Sequence, residues 1–151
     1  MITYRLTKAK YASDLSGTGA MLAGGRWNSR GIPVVYTSSS RALCVVEVAV
    51  HLPLGLVPED YVLVTLILQD LDLLEVDPRT LPDDWNAIPH QDATQEIGDA
   101  WVKEGRYPVM QVPSAVVQGE FNYLINPAHP EARGVQIVSV EPFGFDRRLF
   151  V

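Results

Sequence analysis

A single cysteine, Cys44, stands in 151 residues. No intramolecular disulfide can form and no cysteine-rich metal site can be built. Cys44 lies among Leu43, Val45 and Val46 with no base beside it in sequence, so it reads as a small core residue rather than a catalytic thiolate. Basic charge is also scarce. Twelve Lys and Arg face eighteen Asp and Glu, for a net charge of −6 at pH 7 and a pI near 4.9. Clustered cations are what neutralise phosphates, so a sequence-blind nucleic-acid groove is excluded, while one local cationic pocket is not. No apolar run is long enough to span a bilayer, and Met1-Ile2-Thr3-Tyr4-Arg5 does not begin a secretory leader. A cytoplasmic protein without a membrane role is the expectation. The three histidines, His51, His90 and His129, fall at no metal-site spacing, so no metal is expected. HExxH, Walker A, the dinucleotide GxGxxG and Gly-x-Ser-x-Gly are all missing.

The chain that remains is long enough for one well-packed domain, taken as residues 1–151, with ordinary hydrophobic and charged content. Ile2–Leu6 alternates as a first strand. Tyr11–Ala20 holds Gly17 and Gly19 and reads as a turn, since it lacks the lysine and the strand–loop–helix setting of a phosphate loop. Met21–Ala23 is expected to be a short strand. Val34–Thr37 is β-branched and aromatic and predicts a buried strand. Ser38-Ser39-Ser40 offers N-caps for a helix over Arg41–Leu52, stopped by Pro53. Tyr61–Leu68 is the clearest strand, and Leu71–Val76 is expected beside it after a turn at Gln69-Asp70. Asp77–Pro89 is a loop. His90–Glu104 predicts a helix capped by Asp92 or Thr94 and ended by Gly105. Tyr107–Val112 is a strand, interrupted by Pro113-Ser114-Ala115 and resumed at Val116-Val117; Phe121–Ile125 and Val135–Val140 complete the set. Many short strands with two substantial helices define a compact α+β domain.

Four residues stand out as chemistry. Glu47 falls inside the apolar helix, on one face with Leu43 and Val50. A carboxylate in such company costs several kcal/mol unless it is paired or hydrogen-bonded. Arg26 follows Gly24-Gly25, where a guanidinium can fork onto a phosphate without crowding; a surface hairpin arginine would look the same. Tyr36 ends a strand and Ser114 follows Pro113. Arg5 and Asn122 stand behind these as second-choice pocket residues. A structural ion pair of Glu47 with Arg5 or Arg26 is the competing account.

Taken together, Gly25-Arg26-Trp27-Asn28, Gly31-x-Pro33-Val34-Val35-Tyr36, the serine run, Glu47-Val48-x-Val50-His51-Leu52, Val112-Pro113-Ser114 and Asn122-Tyr123-Leu124-x-Asn126-Pro127 with His129-Pro130 resemble the RES domain. Arg5, Asp14-Leu15-Ser16-Gly17 and Phe145-Asp146-Arg147-Arg148-Leu149 extend the likeness nearly from end to end. The resemblance implies a toxin of a bacterial type II toxin–antitoxin pair, partnered by an Xre-type helix-turn-helix antitoxin and assembling into oligomers only through that complex. It implies a fold similar to ADP-ribosyltransferase toxins, with central strands and a few helices around an NAD-binding cleft. It implies NAD⁺ as substrate, consumed by hydrolysis or phosphorolysis or by transfer of ADP-ribose to a protein. Arg26, Tyr36, Glu47 and Ser114 match the family Arg, Tyr, Glu and Ser. On that resemblance Arg26 holds the pyrophosphate, Tyr36 stacks on or orients the nicotinamide, and Ser114 hydrogen-bonds the ribose or carboxamide.

The residue chemistry is compatible with this. Breaking a nicotinamide–ribose bond passes through a cation-like sugar, which a carboxylate stabilises. Nicotinamide leaves neutral from a pyridinium, so no general acid is needed. Two other classes compete. An RNA-cleaving toxin would want a basic groove, which an acidic chain argues against. A noncatalytic interaction module would pair Glu47 structurally and fill the pocket with a partner segment.

Overall fold

The computed structural model describes residues Met1–Val151. The aliphatic run Tyr61–Leu68 forms a strand over its full predicted length, and the sheet is assembled around it. In chain order the strands are β1 (Ile2–Lys8), β2 (Val35–Ser38), β3 (Tyr61–Leu68), β4 (Leu73–Glu75), β5 (Val109–Pro113), β6 (Phe121–Ile125) and β7 (Val135–Phe143). They lie in one seven-stranded sheet in the order β4-β5-β6-β2-β1-β3-β7. Only the β4–β5 pair is parallel. Three α-helices pack around the sheet: α1 (Thr18–Ala23), α2 (Arg41–Ala49) and α3 (Asp92–Glu104). The architecture is the α+β class the sequence predicts. No helix is long and apolar enough to cross a membrane.

The two faces of the sheet carry different cores. Side chains directly opposite on paired strands share a face, and neighbours along a strand do not. Tyr4 opposes Ser38, Ser38 opposes Asn122, and Asn122 opposes Val112. These therefore share one face, here the front, with Tyr36, Leu124 and Met110. Trp27, Val34, Leu81, Trp101, Met110, Val112 and Leu124 form the core there. Towards β3 the front is covered by α2, where Cys44 packs with Leu6, Leu63, Phe145 and Phe150. Burial pushes the Cys44 thiol up to about 12, which agrees with a core role. The back carries Val62, Val64 and Leu66, with Leu15 and Val135 packed on them.

Four local expectations are corrected. Met21–Ala23 is the last turn of α1, not a strand: Gly17 and Gly24, at φ 73° and 71°, bracket a short helix between them. β4 does not lie beside β3, because both edges of β3 are already taken by β1 and β7; it joins β5 instead. Val116-Val117 does not resume β5, because their N–H groups donate to the Ser114 side chain and close a turn. Neither Asp92 nor Thr94 caps α3; its N-cap is Gln91, which makes no side-chain capping bond, and Thr94 Oγ1 donates back to the Gln91 carbonyl. The predicted stop holds, with Gly105 left-handed at φ 63°. Ser40 caps α2 by accepting from the Leu43 N–H at 3.1 Å. α2 ends at Ala49, and the chain tightens through His51 and Leu52 before Pro53.

Gly98 on α3 sets the distance between this helix and the front core. A Cβ there would stand 1.6 Å from the Trp27 carbonyl oxygen. Helix propensity alone favours alanine over glycine by about 1 kcal/mol, so Gly98→Ala is a test of sign. The clash should win and lower stability by on the order of 3 kcal/mol. A urea-unfolding midpoint equal to or above that of the wild type would show that α3 is not held this closely.

Candidate active site

Because Ser40 starts α2 where it does, Glu47 falls on the helix side that meets the ends of β5 and β6. It is half-buried. Its Oε1 accepts two hydrogen bonds, from Ser114 Oγ at 2.6 Å and from Asn122 Nδ2 at 2.7 Å. Both are short, as expected for bonds to a carboxylate. Since the carboxylate accepts, the Asn122 amide presents its NH₂ to Glu47, and its oxygen is left facing Ser38. The Ser38 hydroxyl donates to that oxygen at 2.7 Å. Ser114 Oγ meanwhile accepts from the N–H groups of Val116 and Val117 at 3.1 and 3.0 Å. β6 and the turn after β5 are thereby tied to one oxygen atom on α2, and β2 joins them through Asn122. Oε2 makes no hydrogen bond within the chain.

Arg26 sits on a tight turn closed by Gly25 and Asn28. A Cβ on Gly25 would meet the Tyr36 hydroxyl at 2.8 Å and Asn28 Oδ1 at 2.9 Å, so only glycine fits. Asn28 is fully buried; it donates to the carbonyls of Ala20 and Ile32 at 2.8 and 3.0 Å and accepts from the Tyr36 hydroxyl at 2.6 Å. Tyr36 also accepts from the Trp27 N–H at 3.2 Å. Burial pushes the Tyr36 phenol well above its ordinary value. Its hydroxyl is thus committed to the turn that carries Arg26. From α3, Gln95 Nε2 donates to the carbonyls of Gly25 and Asn28, and the Asp99 carboxylate accepts from the Ser29 N–H.

The Arg26 guanidinium donates through Nη1 to the carbonyls of Trp85 and Ala87, at 2.9 and 3.1 Å. It forms no ion pair with any carboxylate; the arginine–carboxylate pairs are Arg41–Glu141, Arg79–Asp77 and Arg148–Asp146. Burial lowers its pKa, and the charge of Glu47, followed by Tyr36, works against that shift. Glu47 thus favours the charged guanidinium through space, with no ion pair between the two. The structural ion pair expected as the competing account is not formed. Arg5 is not brought to this cluster. It follows Tyr4, a front-face residue, so it points to the back, where it donates to the carbonyls of Tyr11 and Asp14.

Beside these groups lies a cleft of about 500 Å³. Pro78, Trp85 and Asn86 line one side, and the turn from Pro113 to Phe121, including Ser114, lines the other. That volume is in the range of small-molecule sites. Sequence reasoning missed Ser38, Asn28 and Trp85. Ser38 was read only as a possible cap, and Asn28 only as part of a motif. Trp85 fell in a segment read as a connecting loop, where an aromatic among Asp and Asn residues was the one available signal.

The chain is thus an α+β domain whose candidate site sets a carboxylate and an arginine near a cleft that Ser114 and Trp85 line and that Glu47 and Arg26 do not. Comparison with solved structures agrees with that fold. The toxin–antitoxin complex MbcT–MbcA of M. tuberculosis contains a chain that superimposes with a TM-score of 0.74 at 25% identity, covering 99% of this chain and 86% of that one. The RES domain family model matches residues 2–146, and the chain belongs to the RES domain family. It is 40% identical over 141 residues to a protein of Sphingobium sp. (strain YBL2) named Prs ADP-ribosylating toxin, covering 91% of this chain and 88% of that protein. It is 41% identical over 153 residues to a protein of Photorhabdus laumondii subsp. laumondii named Toxin Res, covering 99% and 97%.

Ser114→Ala removes one of the two donors on Glu47 and strands the Val116 and Val117 N–H groups. A loss of about 1–3 kcal/mol in unfolding free energy is expected from unsatisfied polar groups of this kind. Urea unfolding with an unchanged midpoint would mean that the turn after β5 is held by something else.

Proposed function

We propose that this protein is the toxin of a toxin–antitoxin pair and that it consumes NAD⁺ by breaking the nicotinamide–ribose bond. The observation that carries the reading is the Glu47 carboxylate: one oxygen is held by Ser114 and Asn122, and the other makes no bond within the chain. Membership of the RES family and the names of its relatives support the same direction. In this reading Oε2 faces the sugar. As the C1′–N bond breaks, its electron pair stays on the pyridinium nitrogen and nicotinamide departs neutral. The ribose C1′ gains positive charge, and a fixed carboxylate lowers the free energy of that state most where water has been displaced. An acceptor then adds at C1′ and loses a proton. Water gives ADP-ribose; phosphate gives its phosphorylated counterpart.

Arg26 supplies the charge for the diphosphate. Its Nη1 is spent on the Trp85 and Ala87 carbonyls, and its other nitrogens are uncommitted. Tyr36 acts from beneath, by holding the turn through Asn28 and the Trp27 N–H. A second reading, transfer of ADP-ribose to a protein, is favoured by the relative named Prs ADP-ribosylating toxin. It uses the same bond cleavage and differs only in the acceptor. NAD⁺ is a cytoplasmic metabolite, and action there fits both.

The partner would be an antitoxin of the Xre helix-turn-helix type, as the family resemblance implies. The solved neighbour is itself a toxin–antitoxin complex. A carboxylate-bearing segment laid against Arg26 would block the site by replacing the diphosphate.

Glu47→Gln keeps the shape and both donors' geometry while removing the negative charge. Nicotinamide release, followed by chromatography, should fall at least 100-fold in a variant whose circular dichroism and unfolding midpoint stay near wild type. This is in the range seen when one electrostatic stabiliser is removed. A wild-type rate would end the assignment. Arg26→Ala should weaken NAD⁺ binding about tenfold or more by calorimetry, as expected for a lost charge-assisted contact. Unchanged affinity in a folded variant would remove the diphosphate role.

A further inference from the structure

We propose that Trp85 is the stacking wall of the cleft, the surface on which an aromatic base of the bound nucleotide lies. The inference rests on the NAD⁺ reading above and assigns a residue that reading leaves open. With its hydroxyl bound to Asn28 and the Trp27 N–H, Tyr36 belongs to the frame of the Arg26 turn, and it does not line the cleft, whereas Trp85 does.

Trp27 and Trp101 are each 3% exposed, whereas Trp85 is half-buried and lines the cleft. Trp101 Nε1 donates to the Tyr107 carbonyl at 2.8 Å; Trp85 Nε1 has no partner in the chain. A tryptophan that keeps an accessible ring and an unspent N–H beside a cleft offers both a π-face and a donor to a ligand. The ring is also backed. Trp27 stands 6.3 Å away between ring centroids, at an interplanar angle of 40°. Trp85 is further tied to the cation, because its own carbonyl takes Arg26 Nη1 at 2.9 Å. One residue therefore joins the charge that would meet the diphosphate to the ring that would meet a base. Stacking of this kind tolerates any base, since each has a π-face.

The experiment uses wild type, Trp85→Phe and Trp85→Ala, with ADP-ribose and nicotinamide mononucleotide as separate probes. Affinity is read by calorimetry and contact by tryptophan emission. At least one probe should quench the wild-type emission, and the quench should vanish in both variants, since the two remaining tryptophans are enclosed. The probe that quenches identifies the base, adenine for ADP-ribose and nicotinamide for the mononucleotide. Its affinity should fall about tenfold or more in Trp85→Ala and only a few-fold in Trp85→Phe, where a phenyl ring still stacks. Probes that bind wild type without changing its emission, and bind Trp85→Phe equally well, overturn the stacking role and leave NAD⁺ cleavage standing. Failure of wild type to bind NAD⁺ or either probe refutes the NAD⁺ reading itself, and this inference with it. Should Trp85→Ala fail to fold, the wild-type quench and the Trp85→Phe affinities decide.

Discussion

The carboxylate of Glu47 is the point on which the front of this molecule is hung. A half-buried acid loses several kcal/mol of hydration, and each hydrogen bond to a charged group returns about 1.5–3 kcal/mol. Two such bonds reach the same oxygen, from Ser114 and Asn122. They roughly offset the loss, and they do so asymmetrically. One oxygen becomes structural and the other stays uncommitted. The partners come from parts of the chain far apart in sequence, 67 and 75 residues from Glu47, so the site exists only once β5, β6 and α2 have docked. Ser38 adds β2, because its hydroxyl settles which way the Asn122 amide lies. An amide turned the other way would aim its oxygen at the carboxylate and repel it.

The second fixed object is the turn at Arg26, and it is built by a different device. Here no charge is compensated. A fully buried asparagine satisfies backbone carbonyls on two sides and takes the tyrosine hydroxyl on the third. Two glycines permit the packing, Gly25 against Tyr36 and Gly98 against Trp27. Such a cluster is stiff, because every member is hydrogen-bonded and a buried polar group without a partner is costly. Stiffness matters to the proposed reaction. An arginine on a rigid turn and a glutamate on a capped helix hold a fixed separation, which is what orients a two-ended substrate.

The legibility of the chain follows from which forces act locally. β3 could be read because β-branched and aliphatic runs have few alternatives, and β6 because its aromatic and aliphatic residues favour a strand. α2 could be read because Ser40 marks its start, while its end at Ala49 falls short of the stop expected at Pro53. The candidate site residues Arg26, Tyr36, Glu47, Ser114 and Asn122 are legible mainly as ordered motifs; burial chemistry alone singles out only Glu47. Arg5 was misplaced because strand register, which decides its face, cannot be seen until Tyr4 is set opposite Ser38. β4 was misplaced because neighbour choice in a sheet depends on which edges are already filled. Ser38 and Trp85 were missed because their importance lies in partners 84 and 59 residues away, Asn122 for the first and Arg26 for the second.

An acidic protein proposed to bind a nucleotide diphosphate needs an arginine that its own acids have not neutralised. Three arginines are paired with acids on the surface: Arg41 with Glu141, Arg79 with Asp77, Arg148 with Asp146. Arg26, like Arg5 on the back of the sheet, is held otherwise. It is anchored by two neutral carbonyls, which fix its direction but leave its charge in place. The nearby Glu47 acts on it through space rather than by contact. A salt bridge between the two would have satisfied both and left neither charge for a ligand. Keeping them apart, with one held by hydroxyl and amide and the other by carbonyls, preserves a negative and a positive pole that do not cancel by contact. That dipole matches a substrate whose reacting sugar turns cationic while its diphosphate stays anionic. The overall charge of −6 weighs little against this arrangement, because exposed charges farther than about 10 Å are screened by salt while partly buried ones are screened much less.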